Sequence, residues 1–265
     1  MGEAIVVTSG KGGVGKTTSS ANIGTALALL GKKVCMVDTD IGLRNLDVVM
    51  GLENRIIFDV VDVATGTCRL EQALIKDKRF ETLSLLPAAQ TKDKLALKED
   101  AMHKIIDQLK EQFDYVIIDC PAGIEHGFRV AITAADKAIV VTTPEQAAVR
   151  DADRVIGLLE QQQIPSPKLI VNRIRPTMVK NGDMLDIDDI ISILSLDLLG
   201  IVPDDEHVIR AANKGEPTVM RPDSPASMGY RNIARRIIGD PVPLMTLQVD
   251  EGGFFQKMKK WMGRR

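Results

Sequence analysis

Between residues 9 and 18 the chain reads SGKGGVGKTT, with four glycines and two lysines in ten positions. Glycines let successive backbone N–H groups turn inward around phosphate oxygens at the start of a helix. Two spacings overlap in this stretch. Gly10, Gly12 and Gly15 satisfy GxGxxG, with Asp38 ending the next apolar run where a dinucleotide fold places its ribose-binding acid. The run from Gly10 to Thr17 also satisfies GxxxxGK[ST]. Only the second spacing accounts for Lys16 and Thr17. It predicts a phosphate loop made by Gly10, Lys11, Gly12, Gly13, Val14 and Gly15. Lys16 then reaches the β- and γ-phosphates, the Thr17 hydroxyl meets Mg²⁺, and Thr18 donates to the α-phosphate.

Hydrolysis of a bound triphosphate also needs acids beside the metal. VIIDCPAG puts Asp119 at the end of an apolar run, the place of an acid that holds Mg²⁺ through water. VDTDIG offers Asp38 for the metal side and Asp40 to orient the attacking water. The plainer alternative is that Asp38 and Asp40 are only turn and cap residues.

These groups must be brought together by the elements that carry them. Short Val/Ile-rich runs at 3–8, 33–38, 82–86, 114–119, 137–142, 168–172 and 197–202 read as strands buried on both faces. Helical patterns lie at 16–30, 98–111, 126–135, 147–162, 186–194, 205–213 and 225–238. This alternation predicts the α/β class: a mostly parallel, doubly wound sheet flanked by helices. The domain is expected to span 1–240, ending near GDPVPL, with a linker over 241–251 and a separate tail over 252–265.

Composition narrows the class further. The chain has 265 residues, 45% hydrophobic and 26% charged, with a net charge of −2, so nothing global draws it to nucleic acid. Its three cysteines, Cys35, Cys68 and Cys120, have no CxxC or Cys/His spacing and read as reduced thiols of a cytosolic protein. No signal peptide or run of ~20 apolar residues is present. Val6 stands where a myristoylation signal needs Ser or Thr.

Lys11 is not required by an ordinary phosphate loop. KGGVGKTT resembles the deviant Walker A motif of the signature-lysine (ParA/MinD) P-loop family, which also includes the nitrogenase iron protein and the arsenite-pump ATPase. The resemblance covers nearly the whole chain and is densest with the division-site branch. It runs through VDTDIGLRNLDVVMGLENR (37–55), ALIKDKR (73–79), LLPAAQTKDK (85–94), DCPAG (119–123), TTPEQAAVRDADR (142–154) and RAANKGEP (210–217). It implies a Mg²⁺-dependent ATPase that forms an ATP-dependent homodimer, with Lys11 acting on the partner subunit's phosphates. It also implies adenine contacts from Asn172, Arg173, Pro203 and Asp204, and an interface position for Glu145 and for Asp151 or Asp153. The partners implied are a MinC-type division inhibitor and either MinE or a polar scaffold. A DNA-binding partition ATPase is the sibling alternative, although the basic residues are concentrated in the tail. A nicotinamide oxidoreductase built on the GxGxxG spacing is a weaker one.

The tail, GGFFQKMKKWMGRR, holds the only tryptophan of the chain. On a helix, Phe254, Phe255, Met258, Trp261 and Met262 share an arc of about 120°. Lys257, Lys259 and Lys260 lie outside that arc, with Arg264. This is the pattern of an amphipathic helix lying on anionic membrane lipid. Docking on the domain's own core would explain the apolar arc but not the five unbalanced basic residues. The expected location is therefore cytoplasmic and reversibly peripheral on the inner face of the cell membrane.

Overall fold

A computed structural model describes residues 1–246; the expected tail at 252–265 and the end of the linker lie outside the described residues. Eight strands form one sheet: β1 (Glu3–Thr8), β2 (Val34–Asp38), β3 (Ile75–Lys76), β4 (Leu83–Leu86), β5 (Tyr115–Asp119), β6 (Lys137–Thr142), β7 (Lys168–Ile174) and β8 (Asp197–Pro203). Their order is β3-β4-β2-β5-β1-β6-β7-β8. All neighbours are parallel except β3 with β4.

Seven strands fall where the apolar runs predict them. The eighth, β3, is a two-residue antiparallel edge piece, too short to show a periodicity. Eleven α-helices accompany the strands: α1 (Lys16–Leu29), α2 (Leu46–Met50), α3 (Val60–Ala64), α4 (Leu70–Ala73), α5 (Glu99–Gln112), α6 (His126–Thr133), α7 (Gln146–Gln161), α8 (Pro176–Lys180), α9 (Ile187–Leu194), α10 (Glu206–Ala212) and α11 (Pro225–Ile237). The short helices α2, α3, α4 and α8 do not show in the apolar pattern, because five residues or fewer cannot display a 3.6-residue repeat.

Successive residues of a strand point to opposite faces. Val6 of β1 joins a core with α5, α6, α7 and α9, while Ile5 and Val7 join a second core with α1 and α11. Helix α7 buries Ala148, Val149, Ala152, Val155, Ile156 and Leu159, the three-and-four spacing of a single apolar stripe. Aromatic rings contribute little; Tyr230 and Phe128 are the largest fully buried side chains. After α11, residues 241–246 form no regular element. Their path is nevertheless fixed, since Arg236 donates to the carbonyls of Val242 and Pro243. Among the described residues, no helix is long and apolar enough to cross a membrane.

Candidate nucleotide site

The central strand β1 pairs with β5 on one side and β6 on the other, and the glycine loop leaves its carboxyl end. A crevice at such a point is where open α/β sheets bind ligands. Gly15 caps α1 in the left-handed region, at φ 99°, and any side chain there would strike the Asn172 amide. The unpaired N–H groups of the first turn of α1 therefore open onto the loop, with Lys16 as the first helical residue. The Lys16 side chain is nearly buried, and its Nζ donates to Ser9 Oγ at 3.0 Å. Ser9 Oγ in turn donates to the Lys11 carbonyl at 2.9 Å. Lys11 itself is exposed.

Parallel pairing sets Asp38 directly beside Asp119 at the ends of β2 and β5. Both carboxylates are buried, with 1% of each residue exposed. Burial, followed by repulsion from Asp119, pushes the Asp38 pKa well above the usual carboxylate range. Asp119 is also raised by burial, opposed by hydrogen bonds from the Thr17 and Ser20 hydroxyls and by the charge of Lys16. Ser20 donates to Asp119 Oδ1 at 2.8 Å. Asp38 Oδ1 accepts from Asp40 N at 2.9 Å, while Oδ2 accepts from Asn45 N and Leu46 N at 3.3 and 3.2 Å. Asp38 is thus a turn and helix-start acceptor as well as a neighbour of Asp119.

Repulsion between two buried carboxylates can be relieved by a proton or by a cation. Among the described residues, no three His, Cys, Asp or Glu side chains gather into an all-protein cage. Mg²⁺ does not need one, because it takes one or two protein oxygens together with phosphates and water. Thr17, Asp38 and Asp119 fit that role. The neighbouring Cys120 thiol is pushed up to about 12 by burial, so it stays protonated and inert.

On the other side of the loop, Gly15, Thr18, Asn172, Arg173, Pro203 and Asp204 line a cavity of about 390 Å³. The four residues expected around a base are brought together here. Asn172 locks the wall: its Nδ2 donates to the Val14 carbonyl at 2.8 Å and its Oδ1 accepts from Arg173 N at 2.9 Å. Arg173 sits at φ 56°, at the register shift between β7 and β8. A bulge of this kind re-aims a side chain beside a site. Asp204 also pairs with Arg175 at 2.6 Å. Glu145, by contrast, accepts from Thr143 at 2.6 Å, away from this cavity.

Sequence reasoning missed Ser9, Ser20 and Tyr230. Tyr230 lines the same cavity and shares a 3.3 Å hydrogen bond with Ser19, 211 positions away, so nothing local announces it.

A sequence model of ParA, described as a NUBPL iron-transfer P-loop NTPase, matches residues 1–238. The septum site-determining protein MinD of Bacillus subtilis is 64% identical over 267 residues, covering 100% of both chains. The chain belongs to the MinD family. Among solved structures, the Aquifex aeolicus MinC:MinD cell division complex is 49% identical at a TM-score of 0.86, covering 92% of this chain and 98% of that one. MinD of Pyrococcus horikoshii in complex with Mg-ADP is 28% identical at a TM-score of 0.82, covering 90% and 97%. Membership in the MinD family makes this protein a P-loop NTPase with the ParA fold.

Asp205, which also lines the cavity beside the glycine loop, braces its wall. Asp205 Oδ2 accepts from Ser224 Oγ at 2.5 Å and Ala226 N at 3.3 Å, while Oδ1 accepts from His207 N at 2.9 Å. One side chain therefore caps α10 and anchors the start of α11. These bonds hold its pKa below the usual value against the opposing effect of burial. A depressed folded-state pKa contributes stability above the unfolded value and loses it as pH falls through the folded one. Asp205→Asn should cost about 1–3 kcal/mol at pH 7 in urea denaturation, and the difference should shrink below about pH 4.

Proposed function

We propose that this protein is a Mg²⁺-dependent ATPase, converting ATP and water to ADP and phosphate, that works as a dimerising membrane switch. In its ATP form it sits on the inner face of the cell membrane through residues 252–265. There it recruits a MinC-type division inhibitor and so helps to position the septum. The observation that carries this reading is the buried Lys16 beside the Asp38–Asp119 pair, with Lys11 left exposed in the same loop.

Lys16 exchanges its Ser9 contact for the β- and γ-phosphates, and the loop N–H groups from Gly12 to Lys16 cradle them. Thr18 serves the α-phosphate, while Asn172, Arg173, Pro203 and Asp204 surround the adenine. Thr17, Asp38 and Asp119 hold Mg²⁺, which supplies charge neutralisation on the phosphate oxygens. Asp40 orients the attacking water. Lys11 crosses to the partner subunit's nucleotide, in the manner of an arginine finger.

Each basic tail residue contributes roughly 1 kcal/mol at an anionic leaflet. Ordering the segment costs ~2–5 kcal/mol, so one tail binds weakly and reversibly. Two tails on one dimer gain ~10²–10⁴-fold through effective concentration. Pelleting with anionic vesicles should therefore recover the protein with ATP and leave it in solution with ADP. Trp261→Glu should abolish pelleting while ATP turnover persists. Equal pelleting in both nucleotides would reject the switch, and salt-sensitive retention on random DNA without vesicle binding would favour a partition ATPase. On the membrane-switch reading, MinE or a polar scaffold acts on the membrane-bound form.

A further inference from the structure

Two sequence stretches are left without a part in the chemistry above: ALIKDKR (73–79) and RAANKGEP (210–217). In the fold they meet at one guanidinium. Arg79 Nε and Nη2 grip the Asp77 carboxylate at 3.0 and 2.6 Å, and Arg79 N donates to the same group at 2.7 Å. The Asp77 side chain is fully buried, so the fork is held in a single orientation. Its remaining donors point outward from that grip. Nη2 donates to the Met50 carbonyl at 2.9 Å, and Nη1 donates to the Gly215 carbonyl at 3.2 Å.

Met50 ends α2, and Gly215 lies in the turn that closes α10, where its N–H donates to Ala212. One cation thus faces the carbonyl ends of two helices, where positive charge is favourable. The backbones meet at the same point. Gly51 and Gly215 both sit at φ 65°, and a Cβ on Gly215 would lie 2.6 Å from Gly51 Cα.

These two helices serve opposite sides of the nucleotide site. The N–H of Leu46, at the start of α2, donates to Asp38. Glu206, Val208 and Ile209 of α10 line the base-side cavity. We propose that Arg79 is a positioning residue for ATP turnover, clasping the far ends of α2 and α10 so that the Asp38–Asp40 loop is held in register with the bound nucleotide. Arg79 is not among the residues that line the base-side cavity or form the phosphate loop; it acts through α2. The clasp needs a planar fork with donors in two directions, which a lysine ammonium does not reproduce.

The inference rests on the ATPase reading. Wild-type hydrolysis tests that reading, and the ratio of variant to wild type tests the clasp. Steady-state ATP hydrolysis by the full chain with Mg²⁺ should show kcat per folded molecule reduced about tenfold or more in Arg79→Met, with KM within about twofold. The folded fraction is taken from circular dichroism at the assay temperature. Arg79→Lys should fail to restore kcat. Gly215→Ala, which keeps the arginine but pushes apart the two backbones it clasps, should give the same split, and it carries the test if Arg79→Met does not fold. An unchanged kcat per folded molecule, a loss confined to melting temperature, or full rescue by lysine would each overturn the proposal.

Discussion

Lys16→Ala should abolish measurable nucleotide binding. The ammonium is nearly buried at the mouth of the phosphate loop, 3.0 Å from Ser9 Oγ, and Asp119 responds to its charge. A charge-assisted contact to phosphate in such a setting is worth roughly 2–5 kcal/mol when one partner is truncated, or about 30- to several thousand-fold in affinity. Alanine also leaves the Asp38–Asp119 pair with less compensation, which further disfavours a polyanion. Isothermal titration with ATP and Mg²⁺ is the direct measurement. The fold should persist, because α1 keeps its packing against β2 and α11 through Ile23, Ala26 and Leu27. Binding within a factor of three of wild type would show that Lys16 does not reach the phosphates.

Asp40→Ala should leave ATP binding intact and slow hydrolysis by about 10²-fold or more, the scale of a lost proton-handling or water-orienting group. The Asp40 backbone is fixed by Asp38 Oδ1, so removing the carboxyl should not displace the loop. The ATP-bound dimer should then accumulate, visible by light scattering coupled to size-exclusion chromatography. Turnover equal to wild type would remove Asp40 from the mechanism. A monomer in ATP would place its role in dimerisation instead.

The two kinds of site residue differ in how far the chain could announce them. The phosphate loop was legible because its residues are contiguous and each type has a chemical reason to be there. The strand-end acids were legible because an apolar run that stops at Asp marks a sheet terminus. Buried runs such as YVIID and AIVVTT also gave the sheet, and the parallel topology followed from the helices between them. What stayed hidden depends on long-range packing. Arg79 finds Gly215 across 136 positions, and Tyr230 finds Ser19 across 211. The helix α2 was hidden for another reason: it is short, and it is held in place by Asp38 at one end and Arg79 at the other. Of the two alternatives for Asp38, the turn and cap contacts are visible, since its two oxygens accept backbone N–H groups, and its strand places it beside Asp119.

The position of β1 at the centre of the sheet bears on how the molecule comes into being. Its first neighbours are β5, beginning at Tyr115, and β6, beginning at Lys137. The glycine loop is therefore made early, but the first strand to pair beside it, β5, comes only about a hundred residues later. The base-side wall waits longer still, for β8 and Tyr230. Such distant pairings are slow to close and leave apolar strands without partners in the interim. The crevice around the loop is therefore completed only when the carboxyl-terminal half of the domain has been added to the sheet.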